Sequence, residues 1–410
     1  MLQWIFCVSM DLAGDNMPSV CLYFQVHQPC RLKHYTFFDI DQNHVYEDED
    51  KNRYILNKVA EKCYLPANRI MLNLIRHYRG DFRISYSITG TILEQLEKYR
   101  MDVLDSFKRL ADTGCVEFLN ETYDHSLSFL FSPREFKDQI MLHKKKIMAV
   151  FGQTARTFRC TELIYNNDLA KTVEKMGYHV ILTEGADKIL GWRSPDHVYQ
   201  PMGCSKLKLL LRNYRLSDDV AFRFSNAKWS EYPLTADKYA RWIHSVNRDG
   251  EAVINLFMDY ETFGEHQWQD TGIFKFIKTL PRQIMKHPDF RFKTPSEVAR
   301  EYNAVSALDV PDFISWADMD RDLSAWIGNA LQKDALNTLY GMELKVRRRK
   351  DEKLLRTWRI LQTSDHFYYM CTKYLADGAV HKYFNPYASP YDAYINYMNI
   401  LDDFSGLLEK

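Results

Sequence analysis

From Ser19 to about Glu297 the chain alternates short apolar runs with longer stretches in which apolar residues recur at i, i+3 and i+4. The short runs predict buried strands and the longer periodicity predicts amphipathic helices. Strands are expected at 20–25, 83–87, 116–119, 157–160, 179–182, 207–212 and 252–258. Helices are expected between most of them, including 68–78, 91–110 and 134–151. Pro66 and Pro133 stand near the starts of two of these helices, where a missing N–H costs little. Between Thr183 and Leu207 the chain reads as a loop, marked by Pro195 and Pro201. Strands separated by helices imply βαβ units and a parallel sheet. Seven strands suit a barrel or a doubly wound open sheet, and the pattern alone does not choose.

After Val310 the strand pattern stops. Helical periodicity runs through 322–349, 352–374 and 391–408, which predicts a C-terminal helical domain. The expected organisation is an N-terminal extension without fixed structure (1–17), an α/β domain (18–303) and the helical domain (304–410).

Composition narrows the function classes. Lys+Arg and Asp+Glu are equal at 54 each, so no net field favours nucleic acid or an anionic membrane. The basic run Lys345-Val346-Arg347-Arg348-Arg349-Lys350 is followed at once by Asp351 and Glu352 and reads as a solvated helix face. The apolar stretch from Leu2 to Met10 is too short to span a bilayer and lacks a basic leader. Eight cysteines without a C-x-x-C pair point to free thiols in a reducing, cytoplasmic setting. Aromatic residues make up 14% of the chain, enough to supply flat walls for sugar rings as well as core.

Polar residues recur directly after the predicted strands: His27-Gln28-Pro29, Thr89-Gly90-Thr91, Asn120 to His125, Thr161-Glu162, Thr183-Glu184 and Asp259-Tyr260-Glu261. In a parallel barrel all of these fall on one face, where side chains converge on substrate. Any one of them could be a cap or turn, and Glu162 could serve only as a salt-bridge partner of Arg159. Their shared side favours a site. Two of the acids, Glu162 and Asp259, end separate buried strands, the placement that two-carboxylate chemistry requires.

These segments also carry a family resemblance. His27-Gln28-Pro29 resembles the first signature of glycoside hydrolase family 57, and Gly114 to Leu119, with Glu117, resembles the second. Phe158-Arg159-Cys160-Thr161-Glu162-Leu163-Ile164-Tyr165 resembles the third, and Leu256 to Gln267 the fourth. Gln362 to Tyr369 resembles the fifth. The resemblance implies an incomplete (β/α)7 TIM-like barrel followed by a helical domain that completes the cleft. It implies a retaining α-amylase type of enzyme acting on an α-glucan or maltooligosaccharide, with Glu162 as nucleophile and Asp259 as acid/base, and with no metal or cofactor. One departure is Cys160, which stands where relatives usually carry Asn.

Retention needs two carboxyl groups roughly 5–5.5 Å apart across the scissile bond. His27, Gln28, Glu117, His125, Glu261, His266, Asp365 and His366 are expected to hydrogen-bond sugar hydroxyls. Trp268, Tyr123, Phe367 and Tyr368 are candidate sugar platforms, with core packing as the rival role. Three other functions fit part of the pattern: a glucanotransferase or branching enzyme using the same intermediate, a metal-dependent barrel enzyme, and a non-enzymatic carbohydrate binder. The oligomeric state is not readable.

Overall fold

The computed structural model describes residues 17–246, 252–375 and 385–410. The expected N-terminal extension lies outside the described residues except for Met17. Among the described residues ten strands form: β1 (Ser19–Val26), β2 (Ile84–Ile88), β3 (Val116–Phe118), β4 (Thr157–Arg159), β5 (Val180–Glu184), β6 (Val198–Pro201), β7 (Lys208–Arg212), β8 (Val253–Asp259), β9 (Arg291–Phe292) and β10 (Ala307–Leu308). One sheet has the order β3-β2-β1-β8, with β9 on β1, and the other runs β10-β6-β7-β5-β4.

The seven predicted strands correspond to β1 to β5, β7 and β8. Within each sheet they pair in parallel. The sheets meet at two seams. At one, Asn120 extends β3 onto β4 by a parallel bridge to Phe158. At the other, Asn213 after β7 donates its N–H to the Asn255 carbonyl of β8 at 2.9 Å. The Asn255 side chain returns a bond to Leu211 at 3.0 Å. The carboxyl ends of all seven strands therefore face the same side.

Two local expectations are corrected. The segment after Thr183 is not only loop: it holds a short helix, Asp187–Leu190, and β6, which runs antiparallel to β7. Val198 and Tyr199 are buried, but two apolar residues ahead of a proline are too few to show a period. The single helix expected over 91–110 is two, Gly90–Tyr99 and Met101–Ala111, broken at Arg100 (φ −144°, ψ 62°). The Arg100 guanidinium leaves the helical path to clamp Asp102 and Glu61. The helix Pro133–Phe151 forms as its ends dictate. Ser132 caps the Glu135 N–H, Pro133 opens the first turn, and Gly152 closes the last with φ 67°.

The core has three parts. Val20, Phe24, Ile84, Tyr86, Ile254 and Leu256 bury their side chains against the helices flanking the first sheet. Phe158, Ile181 and Leu209 do the same on the second, in one cluster with Leu336, Trp358 and Phe404 of the C-terminal helices. Those helices are thus packed directly on the second sheet. Tyr23, Leu119, Leu182, Leu210 and Phe257 join residues of both sheets in the third cluster. Each such side chain contributes roughly 1.5–3 kcal/mol on burial. The C-terminal part breaks into more pieces than its periodicity suggests, including Ala330–Gly341, Glu343–Arg349, Glu352–Ile360, Ser364–Tyr368 and Pro390–Glu409. No helix among the described residues is long and apolar enough to cross a membrane.

Candidate active site

Glu162 follows β4 in a tight turn, Thr161–Leu163, and has φ 57° and ψ 27°. Leu163 has φ 51°. Two successive non-glycine residues in the left-handed region are unfavourable by about 1 kcal/mol or more each, so the surroundings must hold them. They do. Leu163 N–H donates to Cys160 O and Ile164 N–H to Thr161 O, both at 3.0 Å. Trp316 N–H donates to Glu162 O at 3.1 Å, brought there by the antiparallel bridge between Tyr165 and Ile314.

The Glu162 carboxylate is bonded at both oxygens. Oε1 lies 2.7 Å from His125 Nε2, and Oε2 accepts from Trp316 Nε1 at 2.6 Å. His125 (itself at φ 53°) reaches with Nδ1 to Glu121 Oε2 at 3.4 Å. Burial opposes the charge on Glu162. The His125 hydrogen bond and charge, the Arg159 charge and the Trp316 bond outweigh it, and the carboxyl is held below its ordinary value. His125 moves the other way. Burial disfavours its cation, but the bonds to Glu121 and Glu162 raise it to about 9.

Asp259 ends β8, in register with Gln25 of β1. Its carboxyl accepts no side-chain hydrogen bond among the described residues. Burial and the Glu162 charge push its pKa up to about 6, against Arg159, Arg212 and His125. Glu261 is raised further, to about 8, by burial and by the Asp259 charge, while Tyr64 Oη donates to its Oε1.

His27 stacks on His125, with ring centroids 4.1 Å apart and planes at 24°. Its Nδ1 lies 2.9 Å from Thr89 Oγ1 and its Nε2 3.1 Å from Asp365 Oδ2. Burial and the neighbouring His125 charge hold His27 below its ordinary value, so the neutral ring donates from Nε2 to Asp365 and accepts at Nδ1. Asp365 reaches the cleft because Thr363 bridges Ser126, and Ser364 N–H donates to His125 O at 3.0 Å. Burial disfavours its charge, but His27 holds the Asp365 carboxyl well below the usual range.

His27, His125 and Asp365 each offer one donor atom within 4.8 Å of the others, a spacing that could hold a metal ion. The near-parallel rings argue against it, because lone pairs of stacked imidazoles run side by side rather than converge.

Not every predicted residue joins this group. Glu117 points elsewhere: its carboxylate accepts from Ser296 N at 2.9 Å, from Ser296 Oγ and from Thr157 Oγ1. Thr157 opens β4, so Glu117 ties strands to the helix Pro295–Glu301 away from Glu162. The buried His366 ring packs on Tyr397 at 5.7 Å. Phe367 is fully buried, and Tyr123 lies flat on Gly90, where a Cβ would meet the ring at 2.4 Å. Neither is a sugar platform. Gln28 accepts from Arg31 at 2.8 Å on the rim. His266 is partly buried and lowered to about 4 by burial, so its ring is neutral near pH 7. Trp268 is 57% exposed, with Lys62 Nζ 5.1 Å above its ring. Tyr368 is partly buried and feels the charges of Glu162 and Asp365.

Trp316 and Glu121 belong to the site and stood outside the predicted set. Trp316 sits in an irregular segment with no period to flag it. Glu121 lies within the polar run after β3, where the resemblance points to Glu117 instead. Cys160 is resolved plainly: its side chain is buried in the cluster beneath the second sheet, and burial raises its thiol to about 12.

This arrangement can be set beside known proteins. A "Putative alpha-amylase" of Methanocaldococcus jannaschii is 48% identical over 404 residues, 94% of this chain and 84% of that protein. Among solved structures, the α-amylase AmyC from Thermotoga maritima superposes with a TM-score of 0.62 at 15% identity, covering 95% of this chain and 93% of that one. The 4-α-glucanotransferase from Thermococcus litoralis gives 0.65 at 14% identity, covering 86% of this chain and 56% of that one. At such identities the superpositions speak for the fold alone. The model of glycosyl hydrolase family 57 matches residues 21–311, the strand region that carries both Glu162 and Asp259. With that match and the 48% relative, the chain belongs to glycosyl hydrolase family 57 and is a glycoside hydrolase.

Proposed function

We propose that the protein hydrolyses α-1,4-glucosidic bonds of α-glucans with retention, with Glu162 as nucleophile and Asp259 as general acid/base. The observation that carries this reading is the opposite electrostatic bias of the two carboxyls: one held ionised, the other raised to about 6. Glu162 attacks the anomeric carbon as Asp259 passes its proton to the leaving oxygen. Asp259, now ionised, takes a proton from water as that water opens the glycosyl-enzyme. Trp316 and His125 orient the attacking carboxylate. His27, His266 and Glu261 are read as hydrogen-bonding partners of sugar hydroxyls, and Trp268 as a platform at the rim.

The circular order of the seven strands supports an incomplete (β/α)7 barrel over residues 18–303, with the helices of 304–410 lending Asp365 and completing the cleft. The name of the 48% identical relative supports an α-amylase activity, and a storage glucan such as glycogen in the cytoplasm is the natural substrate on this reading. A second reading, transfer of the glycosyl group to a sugar acceptor, is favoured by the fold shared with the 4-α-glucanotransferase.

The test is incubation with maltooligosaccharides and with glycogen, following product anomers by NMR. Shorter sugars released as α-anomers are expected. β-Anomers overturn the two-step mechanism, and longer or branched products replace hydrolysis by transfer.

A further inference from the structure

We infer that Glu121 is a positioning residue for Glu162, acting through His125 to fix the hydrogen bond that aims the carboxylate at substrate. The inference rests on the reading of Glu162 as nucleophile. Its basis is a linear array buried behind the cleft. Glu121 is fully buried, and so is Arg159, whose guanidinium approaches Glu121 Oε2 at 3.6 Å. The same oxygen faces His125 Nδ1 at 3.4 Å, and His125 Nε2 faces Glu162 Oε1 at 2.7 Å. Only the last member reaches the surface: the Glu162 side chain is 22% exposed, His125 2% and Glu121 0%.

The other contacts of Glu121 fix it in place. Its N–H donates to Asn120 Oδ1 at 3.0 Å, and Gln25 Nε2 lies 3.5 Å from Oε1. Gln25 is itself held by Tyr23 and Ser87, each at 2.8 Å. A carboxylate behind an imidazole dictates which nitrogen carries hydrogen and where the other points. Glu121 at Nδ1 and Glu162 at Nε2 together hold the ring as an imidazolium that donates one N–H to each carboxylate. Without Glu121 the ring loses the anion that favours its cation and fixes Nδ1–H, so the bond to Glu162 is weaker and less firmly aimed.

Arg159 supplies the balancing charge. Its guanidinium nitrogens have no hydrogen-bond partner among the described residues, and it lies over the Trp316 ring at 5.2 Å. It therefore acts as a buried cation between Glu121 and the ring that bonds Glu162 Oε2. The charged or titratable groups that act on or are acted on by His125 are Glu121, Glu162, Arg159, His27, Asp365 and Asp259. Of these, Glu121 is the fully buried anion, and His125 and Arg159 favour its charged form against burial.

The experiment is an NMR titration of ¹⁵N-histidine-labelled full-length protein, paired with steady-state kinetics on a maltooligosaccharide. In Glu121→Gln the His125 imidazole is expected to titrate below its parent value. In Arg159→Met it is expected to titrate above, because Arg159 opposes the imidazolium. Turnover by Glu121→Gln should fall roughly 10- to 100-fold in kcat with KM nearly unchanged, as for a lost orienting bond. Should Glu121→Gln fail to fold, Glu121→Gln/Arg159→Met, which removes both buried charges together, is compared with Arg159→Met alone: the imidazole should titrate lower, and kcat be lower, in the double variant than in that single one. An imidazole that does not shift, or a shift with full turnover, overturns the role of Glu121. Glu162→Gln with parental turnover would instead overturn the nucleophile assignment, whatever the imidazole does.

Discussion

The carboxyl ends of β4 and β8 each carry one acid on the same side of the sheets, within reach of one another's charge, and the two are furnished in opposite ways. Glu162 has a hydrogen bond at each oxygen, a cation at one of them and a second cation behind. Asp259 has no side-chain donor among the described residues, is partly buried, and feels the Glu162 charge. One strand end favours an anion and the other a neutral acid. The difference in charge state comes from the surroundings, since the two side chains differ by a single methylene, and on the proposed mechanism it divides their roles. Environment divides labour between identical chemical groups.

The sharpest way to break this comparison is to delete each acid in turn. Glu162→Ala and Asp259→Ala should each lower kcat on maltooligosaccharide by roughly 10³-fold or more. Added azide then distinguishes them. With an activated α-glucoside, azide replacing Glu162 attacks once and gives the β-glucosyl azide. In Asp259→Ala the glycosyl-enzyme still forms, and azide opens it to the α-azide. NMR of the products reads the anomer, and exchanged outcomes would reverse the two roles.

A smaller effect tests the donors on the anionic side. Trp316→Phe keeps the ring beside Arg159 but removes the bond to Glu162 Oε2. A hydrogen bond to a charged group is worth about 1.5–3 kcal/mol, so kcat should fall roughly 10- to 100-fold. KM should move little, because the bond acts on the attacking carboxylate. A KM effect without a kcat effect would make Trp316 a sugar contact instead.

Why Trp316 was not legible while Glu162 and Asp259 were is instructive. Asp259 ends a mostly apolar strand and Glu162 follows a short buried one, and an acid at the end of a buried strand stands out in one dimension. Trp316 arrives through a bridge between Tyr165 and Ile314, which joins an irregular segment to the turn after β4. Nothing local records that pairing. Asp365 was found through resemblance alone, since its route to His27 depends on Ser364 docking on His125. Glu117 shows the converse error. It sits at a strand position and is acidic, but Thr157 and Ser296 occupy its carboxylate. The seven parallel strands were legible because β1, β5, β7 and β8 carry runs of apolar residues and β2 alternates, with β3 and β4 short stretches set between clear helices. β6 was not, because Val198 and Tyr199 alone cannot show a period.

The pH dependence sharpens the comparison further. On the proposed mechanism Glu162 acts ionised, and its pKa lies below its ordinary value, so it stays competent well into acid. Asp259 must be protonated, and its raised pKa of about 6 means the acid form is lost as pH rises through that value. The alkaline limb of kcat/KM is therefore expected near 6. Part of that elevation comes from the Glu162 charge, so Glu162→Gln should lower the Asp259 pKa. A ¹³C carboxyl titration measures it, and an unchanged value would mean that burial alone raises Asp259.

The smallest effect is expected at Cys160, two residues before Glu162 and nearest to it in suspicion. The side chain is 3% exposed and packs with Phe158, Tyr165 and Ile181 beneath the sheet, while Glu162 turns to the cleft. Residues two apart in an extended strand share a face, so it is the left-handed turn at Glu162 (φ 57°) that sends its side chain away from Cys160. Cys160→Ser puts a hydroxyl into that apolar cluster and should reduce stability by about 1–3 kcal/mol. Urea unfolding reads the loss, and kcat at a temperature where the variant is folded should stay within about twofold of the parent. A large fall in kcat with unchanged unfolding would place the thiol on the cleft side of β4, and would require the turn at Thr161–Leu163 to be oriented otherwise.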